Sequence, residues 1–213
     1  MPLQLSKGQK ISLKKEAPGL DTIMVGLGWD AVQYDNSAPF DLDATAFLLG
    51  AGNRCASEAN VIFYNNKVHQ SGCIQHKGDN RTGDGEGDDE VIDVILSKVP
   101  QDIEKIDFTV TIDQAEQRRQ NFGMVSRAYI RICNPSTGEE LIRYDLSEDF
   151  SLETAIVVAS LYRNNGEWKF SAVGQGYNGG LAALCNSYGI ETDQDNTTPA
   201  PAQNDWGNTN MWQ

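Results

Sequence analysis

Ile106-Asp-Phe-Thr-Val-Thr-Ile-Asp113 carries the reading of the fold. Ile106, Phe108, Val110 and Ile112 alternate with Asp107, Thr109, Thr111 and Asp113. Successive strand residues face opposite sides of a sheet, so the pattern predicts a half-buried strand. The same period recurs upstream. Phe40, Leu42, Ala44, Ala46 and Leu48 share one parity, and Asp41, Asp43 and Thr45 the other. Ala128, Ile130 and Ile132 repeat it, and the loop Asn134-Pro-Ser-Thr-Gly138 leads to a returning partner strand over 140–146. Residues 155–161 and 168–173 flank Asn164-Asn-Gly166, and Asn-Gly supplies the positive φ angles of a tight hairpin turn. Residues 61–64 are a short apolar run, and 91–96 are mostly apolar.

Helices are few. Residues 114–120 are polar and short, while Leu181, Leu184, Cys185 and Tyr188 fall at i, i+3, i+4 and i+7, an amphipathic closing helix. Many short strands with turn residues between them predict a mainly β chain, a β-sandwich with a few short helices. After Ile190 the composition turns to Asn, Asp, Thr, Pro and Gln without apolar period. The expected organisation is a domain over 1–190 and a disordered polar tail over 191–213, in which Trp206 and Trp212 read as either a docking motif or incidental residues.

The chain has 213 residues and a formal net charge of −13. That balance argues against nucleic acid, which needs a basic stripe. No run approaches about 18 apolar residues, so no membrane span is expected. The N-terminus lacks the basic-then-apolar pattern of a signal peptide. Cys55, Cys73, Cys133 and Cys185 are dispersed, with no CxxC pair, and read as reduced thiols, with a Cys55–Cys73 bridge as the minor alternative.

The most informative segment for function is Gly78-Asp-Asn-Arg-Thr-Gly-Asp-Gly-Glu-Gly-Asp-Asp-Glu90. It crowds Asp79, Asp84, Glu86, Asp88, Asp89 and Glu90 around one Arg81. Unit charges about 4 Å apart repel by about 1 kcal/mol even in bulk water, so a cation among them relieves a real cost. Calcium suits the segment because it accepts about 6–8 oxygen ligands in flexible geometry. The segment is not an EF-hand: counted from Asp84, the sixth position is Asp89 and the twelfth Ile95, where that motif needs Gly and Glu. The spacing alone leaves two readings open, a cation site and a solvated acidic loop. Asp30, Asp41, Asp43 and Asn65 are further candidate oxygen donors, each with an ordinary alternative as a polar strand face or turn.

These segments together resemble the TerD family of tellurium-resistance and stress proteins. The resemblance rests on Leu5-Ser-Lys-Gly8, Ala17-Pro-Gly-Leu20, Val25-Gly-Leu-Gly-Trp-Asp30, Phe40-Asp-Leu-Asp-Ala44 and Phe63-Tyr-Asn-Asn66. It continues through Gly78-Asp-Asn-Arg-Thr-Gly83, Gly87-Asp-Asp-Glu90, Gln120-Asn-Phe-Gly123, Tyr144-Asp-Leu-Ser147 and Ala172-Val-Gly-Gln-Gly-Tyr177. It implies a β-sandwich, calcium as cofactor with two ions bound, a cytoplasmic location, and a role in tellurite, phage and stress responses beside other stress proteins. Carried over by position, the metal ligands are Asp30, Asp41, Asp43, Asn65, Asp79, Asp84, Glu86, Asp88, Asp89 and Glu90. The order Asp84-Gly-Glu86 departs from the family's usual Glu-then-Asp, and the tail extends past its pattern.

The expected function is a non-catalytic calcium-binding sensor or scaffold in a stress complex, with partners met through the tail. The alternative is a metal-dependent hydrolase or tellurite-transforming enzyme. A hydrolase needs a placed base beside an open metal position, and thiol redox work favours paired cysteines. Cys73 with His69 and His76 is the one cluster of interest, set against a plain reduced thiol among loop histidines. A calcium-bridged membrane binder would need basic or apolar loop tips, which the acidic segment lacks.

Overall fold

The computed structural model describes residues 1–31, 40–78, 87–146 and 150–191. Asp79, Asp84, Glu86 and the tail from residue 192 lie outside them. The described chain runs β1 (Leu3–Leu5), β2 (Lys10–Ser12), α1 (Leu13–Glu16), β3 (Thr22–Ala31), β4 (Leu42–Leu49), β5 (Val61–Ile62) and β6 (Ile74–His76). It continues with β7 (Glu90–Ile95), β8 (Lys105–Ile112), α2 (Ala115–Arg118), β9 (Val125–Cys133), β10 (Glu140–Asp145), β11 (Ala155–Asn164), β12 (Glu167–Tyr177) and α3 (Gly180–Ser187).

Two six-stranded sheets form the sandwich. The first has the order β1-β10-β9-β3-β7-β6 and the second β2-β12-β11-β8-β4-β5. β1 pairs with β10 in parallel, and every other described pairing is antiparallel. Each flank of the sandwich is finished by two short strands, β1 and β2 on one side and β5 and β6 on the other. Short edge strands leave little unpaired backbone to recruit another chain.

The alternation read from the sequence sets the core. Ile23, Val25 and Leu27 of β3 meet Leu42, Ala44, Ala46 and Leu48 of β4 and Ile106, Phe108 and Val110 of β8 in one apolar cluster. The Asn165-Gly166 turn between β11 and β12 has φ of 52° and 77°, as a two-residue hairpin of positive φ requires. The two predicted helices form, as α2 and α3. The run at 61–64 yields a strand of two residues, since Phe63 and Asn66 close a turn there.

The strand over 106–112 differs from the half-buried expectation. Asp107, Thr109 and Thr111 are as buried as their apolar neighbours. The reason is tertiary: α3 lies on the outer face of the second sheet, where Leu184, Cys185 and Tyr188 pack with Phe47, Leu49, Ala155 and Val157. Asp107 is matched there. Its carboxylate accepts the Tyr188 hydroxyl at 2.7 Å and Lys105 Nζ at 2.8 Å, and also bonds the Ser160 hydroxyl.

Candidate functional site

The candidate acids divide between the two sheets. β3 and β7 are antiparallel neighbours, with Leu27 opposite Glu90. The residues just beyond that pair, Asp30 on β3 and Asp88 and Asp89 ahead of β7, therefore meet at one end of the first sheet. The junction is tied by backbone. The Asp89 N–H donates to Leu27 O at 2.8 Å, and the Trp29 N–H donates to Asp89 Oδ2 at 2.8 Å. Burial pushes the Asp89 carboxyl up from its ordinary value; the Trp29 N–H opposes this, and the nearby charges of Asp30 and Asp88 add to it.

Asp88 turns onto the outer face of the sheet, above Gly26, where a β-carbon would overlap its carboxylate. Its side chain is 4% exposed and fully partnered. Arg131 Nε donates to Oδ1 at 2.7 Å and Nη2 to Oδ2 at 3.0 Å, a two-pronged pair. Tyr129 Oη lies 3.0 Å from Asp88 Oδ1 and 2.9 Å from Gly87 O, sharing one proton between them. Burial and the Asp88 charge push the Tyr129 phenol up to about 12. Arg143 stacks 3.9 Å over the Tyr129 ring, and Glu140 accepts Arg131 Nη1 at 2.9 Å. Asp30 pairs with Arg127, whose φ of 52° accompanies the register shift between β3 and β9.

Glu90 faces the other way. It is 1% exposed and sits 3.0 Å from His76 Nε2 in the sandwich interior. Asp43 belongs to the second sheet. It shares the outward parity of Thr45 and Phe47, so it looks away from the face that carries Asp88. Asp41 precedes β4, its carbonyl accepting the Asp113 N–H at 2.8 Å. Asn65 sits in the turn closed by Phe63 and Asn66. Among the described residues, no three of Asp, Glu, His and Cys stand close enough to hold a metal ion as placed. Asp30, Asp88 and Asp89 are near enough to repel, and they flank the end of the acidic segment, whose Asp79, Asp84 and Glu86 lie outside the described residues.

The sequence pointed to the acids and missed their cations. Arg127, Tyr129 and Arg131 lie on alternate positions of β9. That spacing was visible, but only the strand pairing puts them beside Asp30 and Asp88.

The cysteine–histidine cluster is a buried chain of contacts. Cys73 Sγ lies 3.7 Å from His69 Nδ1, and His69 Nε2 lies 3.2 Å from Asn60 Oδ1. The amide oxygen only accepts, so the proton sits on Nε2. The order thiol, imidazole, amide is that of a nucleophile, base and orienting group. Cys73 is 0% exposed, however, and burial pushes its thiol up. All four cysteines are buried and free, so the Cys55–Cys73 alternative is not realised.

The TerD-domain family model matches residues 1–188. The chain belongs to the TerD family. It is 56% identical over 191 residues to general stress protein 16U of Bacillus subtilis (strain 168), covering 90% of this chain and 99% of that one. It is 53% identical over 190 residues to the tellurium resistance protein TerD of Serratia marcescens, covering 89% of this chain and 98% of that one. The crystal structure of a homologue of telluride resistance protein TerD from Streptomyces coelicolor A3(2) superposes with a TM-score of 0.63. That match is 26% identical and covers 78% of this chain and 95% of the other. Among the described residues of this TerD-family chain, no helix is long and apolar enough to cross a membrane.

Proposed function

We infer that this TerD-family chain is a calcium-binding, non-catalytic protein of the stress and tellurite responses, acting in the cytoplasm as a sensor or scaffold. The observation that supports it best is the meeting of Asp30, Asp88 and Asp89 where β3 and β7 end, with the Asp89 carboxyl pushed up by burial and by its neighbours. Arg131 and Arg127 already match Asp88 and Asp30, so the support rests on Asp89, whose partly buried charge beside two other carboxylates is eased by a further cation. The acids that complete the ligand set are Asp79, Asp84 and Glu86 of the same segment, with Asp41, Asp43, Asn65 and Glu90 as the remaining candidates for two ions. Asp88 has a distinct role in this reading. Clamped by Arg131 and Tyr129, it fixes where the acidic segment re-enters the sheet. A cation bound there would join a loop to the sandwich, which is what a sensor needs to couple occupancy to shape. Partners are met through the polar tail with Trp206 and Trp212.

The test is thermal. A ligand that binds the folded state alone stabilises it by about 2.7 kcal/mol at 100 times its Kd. Calcium should raise the melting temperature above that in EDTA, and magnesium should do so less. Identical melting in millimolar calcium and in EDTA would sink this reading. The enzyme alternative draws on the order Cys73, His69, Asn60, but a sealed and protonated thiol does not act as a nucleophile. Turnover of a phosphoester or of tellurite, lost on Cys73→Ser, would reinstate it.

A further inference from the structure

α3 covers part of the outer face of the second sheet. It packs there near Phe47, Leu49, Ala155 and Val157, and Tyr188, just past its end, donates to Asp107 Oδ2 at 2.7 Å. Beyond Asp107 the face opens into a cleft of about 360 Å³. Strand register sets what stands on it, because residues directly opposite each other share a face. One row across β2, β12, β11 and β8 is Lys10, Ser171, Ser160 and Asp107, and the next is Ser12, Lys169, Tyr162 and Lys105. Three lysines therefore stand about one aromatic ring, in a chain whose net charge is −13.

Two of these lysines lack an acid. Lys105 is held by Asp107 at 2.8 Å. Lys10 lies 5.9 Å over the Tyr162 ring, and neither it nor Lys169 forms an ion pair among the described residues. Glu167, two residues before Lys169, is paired with Lys14 at 3.0 Å. Among the described residues lining the cleft, Glu104 is the one acid, against Lys10, Lys105 and Arg163.

The chain supplies an occupant of matching charge. α3 ends beside the cleft: the Cys55 N–H donates to Tyr188 O at 2.9 Å, and Asn53, two residues earlier, lines the cleft. Residues 192–213, outside the described residues, follow directly. They contain Asp193, Asp195 and Asp205 and no Lys or Arg. In an extended chain Asp193 and Asp195 project to one side, about 7 Å apart, and Lys105 and Lys169 stand two strands apart, about 10 Å. Long lysine side chains span that difference. A tethered segment meets its site at an effective concentration in the millimolar range, so weak contacts suffice.

We propose that this face docks residues 192–198 of the same chain, with Asp193 and Asp195 paired to Lys10, Lys105 and Lys169 across Tyr162. Trp206 and Trp212 lie beyond the docked stretch. The site shares no residue with the calcium reading and does not depend on it.

Carbodiimide cross-linking, which joins a carboxylate to an amine in contact with it, tests this on the full chain in EDTA and about 0.15 M salt, where long-range attraction is screened. Mass spectrometry should find Asp193 and Asp195 linked to Lys10, Lys105 or Lys169 within one chain, and not to the exposed Lys67 and Lys98. Lys10→Gln with Lys169→Gln should speed cleavage of the native chain after Asp193 and Asp195 by endoproteinase Glu-C about threefold or more, as for loss of two surface ion pairs. Lys67→Gln with Lys98→Gln should leave that rate unchanged. Absence of the links, their even spread over all five lysines, or equal cleavage rates in the two doubly substituted chains overturns the proposal. Links between isotope-labelled and unlabelled chains in a mixture would place the segment on a second copy and overturn it as well.

Discussion

Arg131 holds Asp88 by two hydrogen bonds, Nε to Oδ1 at 2.7 Å and Nη2 to Oδ2 at 3.0 Å, on the outer face of the first sheet. The carboxylate lies nearly sealed beneath the guanidinium, which itself stays partly exposed. Removing the cation would strand a buried charge. Arg131→Met should therefore cost about 3 kcal/mol, the lower end for a broken buried pair. Urea denaturation in EDTA at pH 7 measures it. A loss below about 0.5 kcal/mol would place this pair with ordinary surface ion pairs.

The clamp also needs two glycines. A β-carbon at Gly26 would overlap the Asp88 carboxylate, and one at Gly28 would overlap the Tyr129 ring. Gly28→Ala should destabilise the protein by about 1–3 kcal/mol, as overpacking does. It should also displace Tyr129, visible as a fall of its phenol from about 12 towards the ordinary value. An unchanged tyrosine titration would show that the ring does not depend on this gap.

Much of this architecture could be read from residue order, and the limits are physical. Parity along β4, β8 and β9 gave the core, and Asn165-Gly166 gave a hairpin, because both are local. The burial of Asp107 could not be read, since it follows from α3 docking more than seventy residues later. The same holds for the site. Asp88, Asp89 and Glu90 are adjacent in sequence, yet Asp88 is clamped outside the sheet, Asp89 caps the β3–β7 junction, and Glu90 turns inward to His76. Chain neighbours share a charge type but not a face, and only strand pairing assigns the face.

His69 gives the protein a mild acid sensitivity. Burial holds its imidazole below the ordinary 6.5, with Asp102 opposing the shift. As pH falls below about 6.5 the unfolded chain takes up this proton first, so the unfolded state binds more protons and stability declines. The decline ends once pH passes the lower, folded value. His69→Gln should flatten that part of the stability profile between pH 7 and 5. Parallel profiles for the two proteins would remove His69 from the account.

Cys55, Cys73, Cys133 and Cys185 are all buried, and burial pushes each thiol up. Protonated, enclosed thiols react slowly. Native protein should show no rapid labelling by a thiol reagent such as DTNB, and four thiols should react after denaturation. Fast labelling of Cys73 in the native state would revive the nucleophile reading.

We propose that the acids at the β3–β7 junction bind calcium. Calorimetric titration of calcium into the metal-free protein tests it most directly, with Asp89→Asn as the matched variant. Saturable binding to the native chain is expected, with an affinity weakened about tenfold or more in the variant, as for loss of a charged ligand interaction. Absence of saturable heat up to millimolar calcium, or the same affinity in both proteins, would contradict it.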